Sequence, residues 1–146
     1  MLDKEIIQYR GFRNLTENGQ VVGFQFKVRT TYYRGIYLSQ LRPGTVIVDG
    51  ERFEKEDVIW CVGGHDYRYE EMKYQGRIHW QVLEPAIIKI RKPGGLSQGY
   101  HDVTIGFTYS SSYLPPERQN LDPDADGQRF APEMGPHVNH RRLLMV

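Results

Sequence analysis

The chain has 146 residues and a mass of 17.1 kDa, which suits one domain with a sizeable core. Its 19 basic and 18 acidic residues almost cancel, which argues against a nucleic-acid-binding surface. The mean hydropathy is −0.59, and we find neither a secretory signal nor an apolar run near the ~20 residues of a membrane span. The chain has one cysteine. We therefore expect a cytoplasmic protein without disulfides.

The composition favours β-structure. Alanine is scarce, valine and isoleucine are abundant, and 12% of the residues are aromatic. Because β-branched and aromatic residues are enriched in strands and alanine is the best helix former, we expect an all-β protein. Short strand patterns with frequent turn signals predict a single-domain β-sandwich of antiparallel strands, with a small barrel as the alternative.

Strand patterns and tight-turn signals alternate in the N-terminal part. Residues 5–12 predict a first strand. The Asn18-Gly19 pair then predicts a hairpin, because a type I′ turn needs a positive φ at both central residues. Residues 21–29 alternate between apolar and polar side chains, as expected of a half-buried strand. Residues 31–41 predict a further, irregular strand.

The middle of the chain continues this pattern. Asp49-Gly50 predicts a second tight hairpin, and residues 69–74 are the one stretch that favours a helical turn. The other strands are predicted at residues 45–49, 51–53, 57–62, 77–82, 86–91 and 101–109.

The sequence changes character at residue 115. Five of the eight prolines lie in residues 115–136, where apolar residues are few, so this segment predicts a long loop or arm. The apolar run at the end predicts a closing strand that docks back or pairs with a partner. The expected division is 1–114 for the β-sandwich, 115–140 for the Pro-rich acidic arm and 141–146 for the closing strand.

Acidic residues of the arm match a calcium-loop pattern. The pattern is D-x-D-x-D-G followed by five residues and a glutamate. The matching residues are Asp122, Asp124, Asp126, Gly127 and Glu133. Three short carboxylates at alternate positions can converge on one hard cation, and the distal glutamate adds two oxygens. Prolines on both sides argue against the helices of an EF-hand. The alternatives are an isolated calcium loop and a solvated acidic arm, and we favour the second.

No catalytic constellation can be assembled from the sequence. Motifs typical of serine hydrolases, phosphate-binding loops, dinucleotide-binding folds and zinc proteases are missing. Cys61 lies in a predicted strand, where a lone cysteine is usually a small buried hydrophobe. Structural or surface roles are favoured over a metal site for the five histidines, His65, His79, His101, His137 and His140. We therefore expect no catalytic residue in this chain.

An aromatic and basic cluster is a candidate interface. It consists of Tyr32, Tyr33 and Arg34, with Tyr37 nearby. Tyrosine and arginine dominate protein interfaces, and they also stack on sugars and phenols. Packing within the core or at a sheet edge is the alternative.

The arm and the residues just before it contain a few side chains that a Pro-rich acidic segment cannot bury by itself. Tyr113, Phe130 and Met134 are therefore expected to contact a partner surface or shape its substrate site. His137 and His140 lie at the C-terminal end of the arm, and either could hydrogen-bond a substrate in a partner's pocket.

Several stretches together resemble the small β subunits of C-glycoside deglycosidases, formerly a domain of unknown function. The resemblance covers residues 1–114, and its first and last stretches are the most specific. The stretches are 14–26 (NLTENGQVVGFQF), 28–39 (VRTTYYRGIYLS), the Asp49-Gly50 hairpin, 69–72 (YEEM) ahead of Trp80, and 91–103 (RKPGGLSQGYHDV).

The resemblance implies a β-sandwich that is the obligate partner of a larger α subunit. That subunit is expected to be similar to a sugar-isomerase barrel with a divalent metal, usually manganese. The complex is expected to be a carbon–carbon lyase that separates a 3-oxo sugar from an aromatic, flavonoid-like aglycone. A separate oxidoreductase supplies the ketone at sugar C3, the metal polarises it, a base removes the C2 proton, and the aglycone leaves from C1.

Two functions follow from these observations. The first is an accessory, non-catalytic subunit of a hetero-oligomeric C-glycoside deglycosidase. The second is a stand-alone carbohydrate- or calcium-binding β-sandwich without catalysis. The neighbouring reading frame discriminates between them, because an adjacent isomerase-like barrel gene supports the first.

Overall fold

The computed structural model describes residues 6–30, 35–72, 74–109 and 137–146. These ranges contain eleven β-strands, one short α-helix and two 3₁₀ turns, so the all-β prediction is confirmed. Within them, no helix is long and apolar enough to cross a membrane.

Most strands belong to two antiparallel sheets. Sheet I has the order β1 (Arg13–Glu17), β2 (Gln20–Val28), β9 (Ala86–Arg91), β6 (Val58–Val62) and β7 (His65–Tyr67). Sheet II has the order β11 (His137–Met145), β10 (Gly99–Tyr109), β4 (Leu41–Val48) and β5 (Glu51–Phe53). The remaining elements are a two-stranded ribbon of β3 (Ile36–Tyr37) and β8 (His79–Trp80), the helix α1 (Tyr69–Met72), and 3₁₀ turns at Leu38–Gln40 and Lys55–Asp57.

Tight turns join neighbouring strands where the sequence predicts them. Asn18 and Gly19 have φ of 52° and 78° between β1 and β2, and Asp49 and Gly50 have φ of 50° and 86° between β4 and β5. Two successive positive φ values define the type I′ turn, whose twist matches that of the strands it joins. Both predicted hairpins are confirmed.

The two sheets pack face to face around one apolar core. Phe24, Phe26 and Val28 of β2 are buried in the same cluster as Val103, Ile105 and Phe107 of β10. Aromatic rings meet across the two sheets, with ring centroids 5.8 Å apart for Phe24 and Phe53 and 5.6 Å apart for Trp60 and Phe107. These contacts make the fold a β-sandwich.

The sandwich has two ends that differ in character. At the hairpin end lies the turn after β4, where the backbone N–H of Asp49 donates to the carbonyl of Asp102 (2.9 Å). At the ribbon end lies the β3–β8 ribbon, where Trp80 contacts Phe107 with ring centroids 5.9 Å apart. Leu41, which follows the ribbon and its 3₁₀ turn, pairs with Tyr109 at the end of β10.

The prediction of a strand over residues 5–12 is wrong for the described part of that range. Ile7 forms a single bridge to Val28, and the chain then turns at Gly11 with φ 85° before β1 begins. This segment lies over the outer face of sheet I, where the Gln25 amide donates to the carbonyl of Gly11 (3.3 Å). Gln25 is therefore buried, although the alternation of β2 places it toward solvent.

Other predicted strands differ in length. Residues 77–82 contribute only the short strand β8, and β4 begins at Leu41, four residues before the predicted 45–49. The longer β4 follows from its pairing with the end of β10. Residues 86–91 form a strand with the predicted bounds, and the helical turn expected within 69–74 is α1.

The C-terminal run forms part of a strand that is longer than predicted. β11 begins at His137 and pairs with β10 along its whole length, so the run docks back onto the sandwich. Two side chains of β11 also hold the N-terminal segment. The Asn139 Oδ1 accepts from the backbone N–H of Ile7 (3.0 Å), and Arg141 donates to the carbonyl of Ile7 (2.7 Å).

Candidate functional site

Most of the predicted site residues lie outside the described part of the chain. They are the aromatic and basic cluster Tyr32, Tyr33 and Arg34, the interface candidates Tyr113, Phe130 and Met134 in or just before the arm, and the calcium-loop residues Asp122, Asp124, Asp126 and Glu133. The interface and calcium hypotheses that depend on them stay predictions.

The two histidines predicted near a partner's pocket both belong to β11. His137 lies opposite Phe107 in the strand register, and its side chain is outside the described part. His140 lies on the outer face of sheet II, with its Nε2 3.5 Å from the Oδ1 of Asp102 and both side chains more than half exposed. Such an exposed pair contributes little to stability, so it leaves His140 open to other contacts.

Two predicted interface segments, the aromatic and basic cluster and the Pro-rich arm, are joined in the chain to residues at the ribbon end. Gly35 directly follows the aromatic and basic cluster, and a Cβ at this position would collide with the carbonyl of Trp80 and the ring of His79. At the same end, β10 and β11 adjoin residues 110–136, and Phe107 touches Trp80. The described surface of the ribbon end is therefore the first to consider for partner or substrate contacts.

An exposed aromatic pair projects from the ribbon. Because Ile36 and Trp80 face the core, the paired residues Tyr37 and His79 face solvent. Their ring centroids are 4.9 Å apart at an interplanar angle of 65°. Rings of this kind offer an apolar face and a polar edge to a sugar, a phenol or a partner side chain. Sequence reasoning placed Tyr37 beside the predicted cluster but missed His79, because only the ribbon brings the two together.

A histidine–aspartate pair fixes the hairpin end. His101, at the start of β10, is 7% exposed, and its Nδ1 lies 2.5 Å from the Oδ2 of Asp49 in the turn after β4. Its Nε2 lies 2.7 Å from the carbonyl of Ser97. The second oxygen of Asp49 accepts from the backbone N–H of Asp102 (2.8 Å). We call the contacts among these four residues the His101 lock.

The lock favours the charged form of His101. A carbonyl oxygen only accepts, so Nε2 donates to Ser97 and Nδ1 donates to the carboxylate. Burial lowers the pKa of His101, but the hydrogen bonds to Asp49 and Ser97 outweigh it, so the pKa is raised. Burial likewise raises the pKa of Asp49, yet the hydrogen bonds from His101 and the Asp102 backbone leave it lowered. Because both ring nitrogens already donate hydrogen bonds within the chain, His101 acts as a structural cation and not as a general base.

Further contacts fasten the same end. Asn14 donates through its amide to the carbonyl of Leu96 (3.0 Å) and accepts from the backbone N–H of Leu96 (2.9 Å). Lys92, just after β9, forms an ion pair with Glu51 at the start of β5 (2.7 Å), which links the two sheets. The hairpin end is thus closed by polar contacts within the chain.

The described residues do not fit a nucleophilic or metal site. Cys61 is buried, and burial followed by a hydrogen bond with Asp66 raises the pKa of its thiol, which disfavours the reactive thiolate. Within residues 6–30, 35–72, 74–109 and 137–146, no three His, Cys, Asp or Glu side chains converge as metal ligands do. We therefore assign no reaction step to a metal in this part of the chain.

Shallow depressions lie outside the core. One of about 180 Å³ on sheet I contains two ion pairs, Arg91 with Glu17 and Lys89 with Asp66, both at 3.0 Å. Another of about 330 Å³ is lined by several charged side chains, including Arg68. Because the cations of the first depression already have carboxylate partners, that surface shows no unmatched charge for a ligand.

Comparison with known proteins places this chain in a family. Residues 2–113 match the C-glycoside deglycosidase beta subunit family. This match covers more than half of the chain, so the chain belongs to that family. Membership confirms the resemblance carried by the sequence.

Two relatives extend this finding. A C-glycoside deglycosidase beta subunit from Eubacterium cellulosolvens is 50% identical over 147 residues, which span 99% of this chain and 100% of the relative. A 3'-dehydrocarminate deglycosidase beta subunit from Microbacterium sp is 29% identical over 94 residues, which span 64% of this chain and 70% of the relative. The first match includes the Pro-rich arm, whereas the resemblance described from the sequence covers residues 1–114 only.

Proposed function

We propose that this chain is the accessory β subunit of a heteromeric enzyme that cleaves the carbon–carbon bond between a 3-oxo sugar and an aromatic aglycone. The observation that carries the proposal is the 50% identity, over nearly the whole chain, to a protein named as a C-glycoside deglycosidase beta subunit. A name that specifies a beta subunit implies at least one further kind of subunit. The 3'-dehydro substrate in the second relative's name supports an oxidised sugar carbon.

The chemistry requires a ketone next to the carbon that loses a proton. A ketone at sugar C3 acidifies the C2–H bond, and a base that removes this proton leaves an enolate. The electron pair then forms a C1–C2 double bond as the C1–aryl bond breaks, and the departing aryl carbon takes up a proton. A divalent ion, with manganese as the expected choice and the larger subunit as its expected site, supplies Lewis-acid polarisation of the ketone when bound.

The role of this chain follows from its surfaces. At the hairpin end, polar side chains such as His101 and Asp49 are bonded to each other. At the ribbon end, the Tyr37–His79 pair is exposed, and the chain continues there into the two predicted interface segments, the aromatic and basic cluster and the Pro-rich arm. We propose that this chain binds the larger subunit, an isomerase-like barrel, and shapes its substrate pocket. Excluding water from such a pocket would protect the enolate from unproductive protonation.

Co-expression with the larger subunit tests the proposal. The adjacent reading frame is co-expressed with this chain, and the complex is isolated by size exclusion. Fractions that contain both subunits should release free aglycone from a 3-oxo-C-glucoside, as measured by liquid chromatography. Separate elution of the two proteins, together with carbohydrate binding by this chain alone, would support the stand-alone module instead.

A further inference from the structure

The N-terminal segment is bonded to both sheets of the sandwich. We call residues 6–9 the strap. Two backbone hydrogen bonds attach the strap to the end of β2, from the N–H of Arg29 to the carbonyl of Ile6 (3.0 Å) and from the N–H of Gln8 to the carbonyl of Lys27 (2.9 Å). One side of the strap is therefore paired with sheet I.

The other side of the strap is bonded to side chains of sheet II. Residues of an extended chain direct their backbone groups alternately to opposite sides, so the N–H and the carbonyl of Ile7 face away from β2. The N–H donates to the Oδ1 of Asn139 (3.0 Å), and the carbonyl accepts from Arg141 (2.7 Å). Because Ile7 is fully buried, losing these partners would leave two backbone groups unpaired away from water.

Arg141 contacts the strap at a second point. Its guanidinium carbon lies 3.3 Å from the ring centroid of Tyr9, which is a cation–π contact. The Tyr9 side chain is 73% exposed, so this contact and not burial in the core orders the ring. A single side chain of β11 thus joins two residues of the strap.

The inward side of β11 changes character along the strand. In the second half of β11, the inward side chains Leu143 and Met145 are buried in the apolar core. In the first half, the same alternation places Asn139 and Arg141 inward, and these side chains bond to the strap. Polar contacts with the strap therefore replace core packing where β11 begins.

We infer that the strap and residues 137–141 open and close as one cooperative unit, so that fixing either segment also fixes the other. Proteins open locally in contiguous units, and segments held by few apolar contacts open at a lower free energy than the core. Linkage makes such a coupling reciprocal. β11 directly follows the Pro-rich arm in the chain, so the unit joins the N-terminal segment to the point where the arm ends. The inference goes beyond the proposed function, because it concerns this chain with or without a larger subunit.

Hydrogen exchange of the intact chain, followed residue by residue by NMR, tests the coupling from both sides. Arg141→Ala removes the guanidinium contacts from the β11 side, whereas Gln8→Pro removes a hydrogen bond between the strap and β2. We expect each variant to speed exchange at least 10-fold, both at the Ile7 amide and at the amides of residues 137–141. Exchange in the core strand β9 should stay within twofold of the wild type.

The neighbouring residue Arg142 offers a matched control. Its side chain faces outward, and its guanidinium carbon lies 5.0 Å from the ring centroid of Tyr100. Arg142→Ala should therefore change exchange at the Ile7 amide and in residues 137–141 by less than twofold. An effect as large as that of Arg141→Ala would overturn the inference, because the strap contacts would not be its cause.

A measurement on the wild type keeps the inference testable even if a variant does not fold. Exchange at increasing urea concentrations below the unfolding transition should give the Ile7 amide and residues 137–141 the same opening free energy and the same urea dependence. Both values should lie below those of β9. Different opening free energies for the two segments, or a Gln8→Pro effect confined to the strap, would overturn the inference. Equal acceleration in β9 would do the same, because the opening would then be global.

Discussion

Replacing Asp49 with asparagine separates the charge of the His101 lock from its shape. Asparagine tolerates the positive φ of 50° at this turn position, so the hairpin between β4 and β5 should persist. The remaining side-chain oxygen can still accept from the backbone N–H of Asp102. What disappears is the carboxylate that pairs with the imidazolium of His101.

The expected cost follows from the exposure of the two partners. A hydrogen bond to a charged group contributes about 1.5–3 kcal/mol. The His101 side chain is 8% exposed, but that of Asp49 is 46% exposed, so solvent screens part of the interaction. We therefore expect Asp49→Asn to lower the free energy of unfolding by about 1–2 kcal/mol near pH 6.

The cost should depend on pH in a defined direction. The pKa of His101 is raised from its ordinary 6.5, so its contribution is complete below that value and is lost as the pH rises through the higher folded-state pKa. The pKa of Asp49 is lowered from 3.8, so its contribution is complete above that value and is lost as the pH falls through the lower folded-state pKa. The lock therefore stabilises most between these two ordinary values.

Urea denaturation of the wild type and the variant at pH 5.5, 7 and 9 measures this effect. The difference in unfolding free energy should be largest at pH 5.5 and smallest at pH 9. Asp66→Asn is a matched control, because Asp66 is 51% exposed in a surface pair with Lys89 and should cost less than about 1 kcal/mol. A difference for Asp49→Asn that stays constant, or grows with pH, would refute a charged His101.

Two further changes test the core and the arm. Phe26→Ala removes a buried ring and should lower the free energy of unfolding by about 3–5 kcal/mol, as measured by urea denaturation. The control Leu83→Ala changes a side chain that is 87% exposed and should change this free energy by less than about 0.5 kcal/mol. Equal costs would contradict the assigned core. Replacing residues 117–136 with a short Gly-Ser bridge should leave the fold intact, because Phe107 and His137 are directly paired, but should lower the activity of the complex; full activity would make the arm a passive insertion.

Local patterns in the sequence were sufficient to predict much of the fold. The Asn18-Gly19 and Asp49-Gly50 turns and the strand Ala86–Arg91 depend on nearby residues alone, and all three are confirmed. The strand expected over residues 5–12 failed because Gly11 turns the chain back over sheet I, a tertiary contact that alternation does not encode.

The candidate sites were less predictable because they depend on contacts between distant residues. The His101 lock joins Asp49 to a histidine 52 residues away, and only the pairing of β4 with β10 brings them together. The strand predicted at residues 101–109 begins at Gly99 in the structure, and only this longer strand shows that Tyr100 faces outward, in alternation with Val103 and its apolar neighbours. The contact of Tyr100 with Arg142 required the register of β11.

Reconstitution from separately purified subunits tests the central claim most directly. A fixed amount of the larger subunit is titrated with this chain, and aglycone release from a 3-oxo-C-glucoside is followed at each ratio. The account predicts no turnover by this chain alone and activity that rises with added chain until it saturates at a fixed subunit ratio. Turnover by this chain alone, or a rate of the larger subunit that does not change on its addition, would contradict the account.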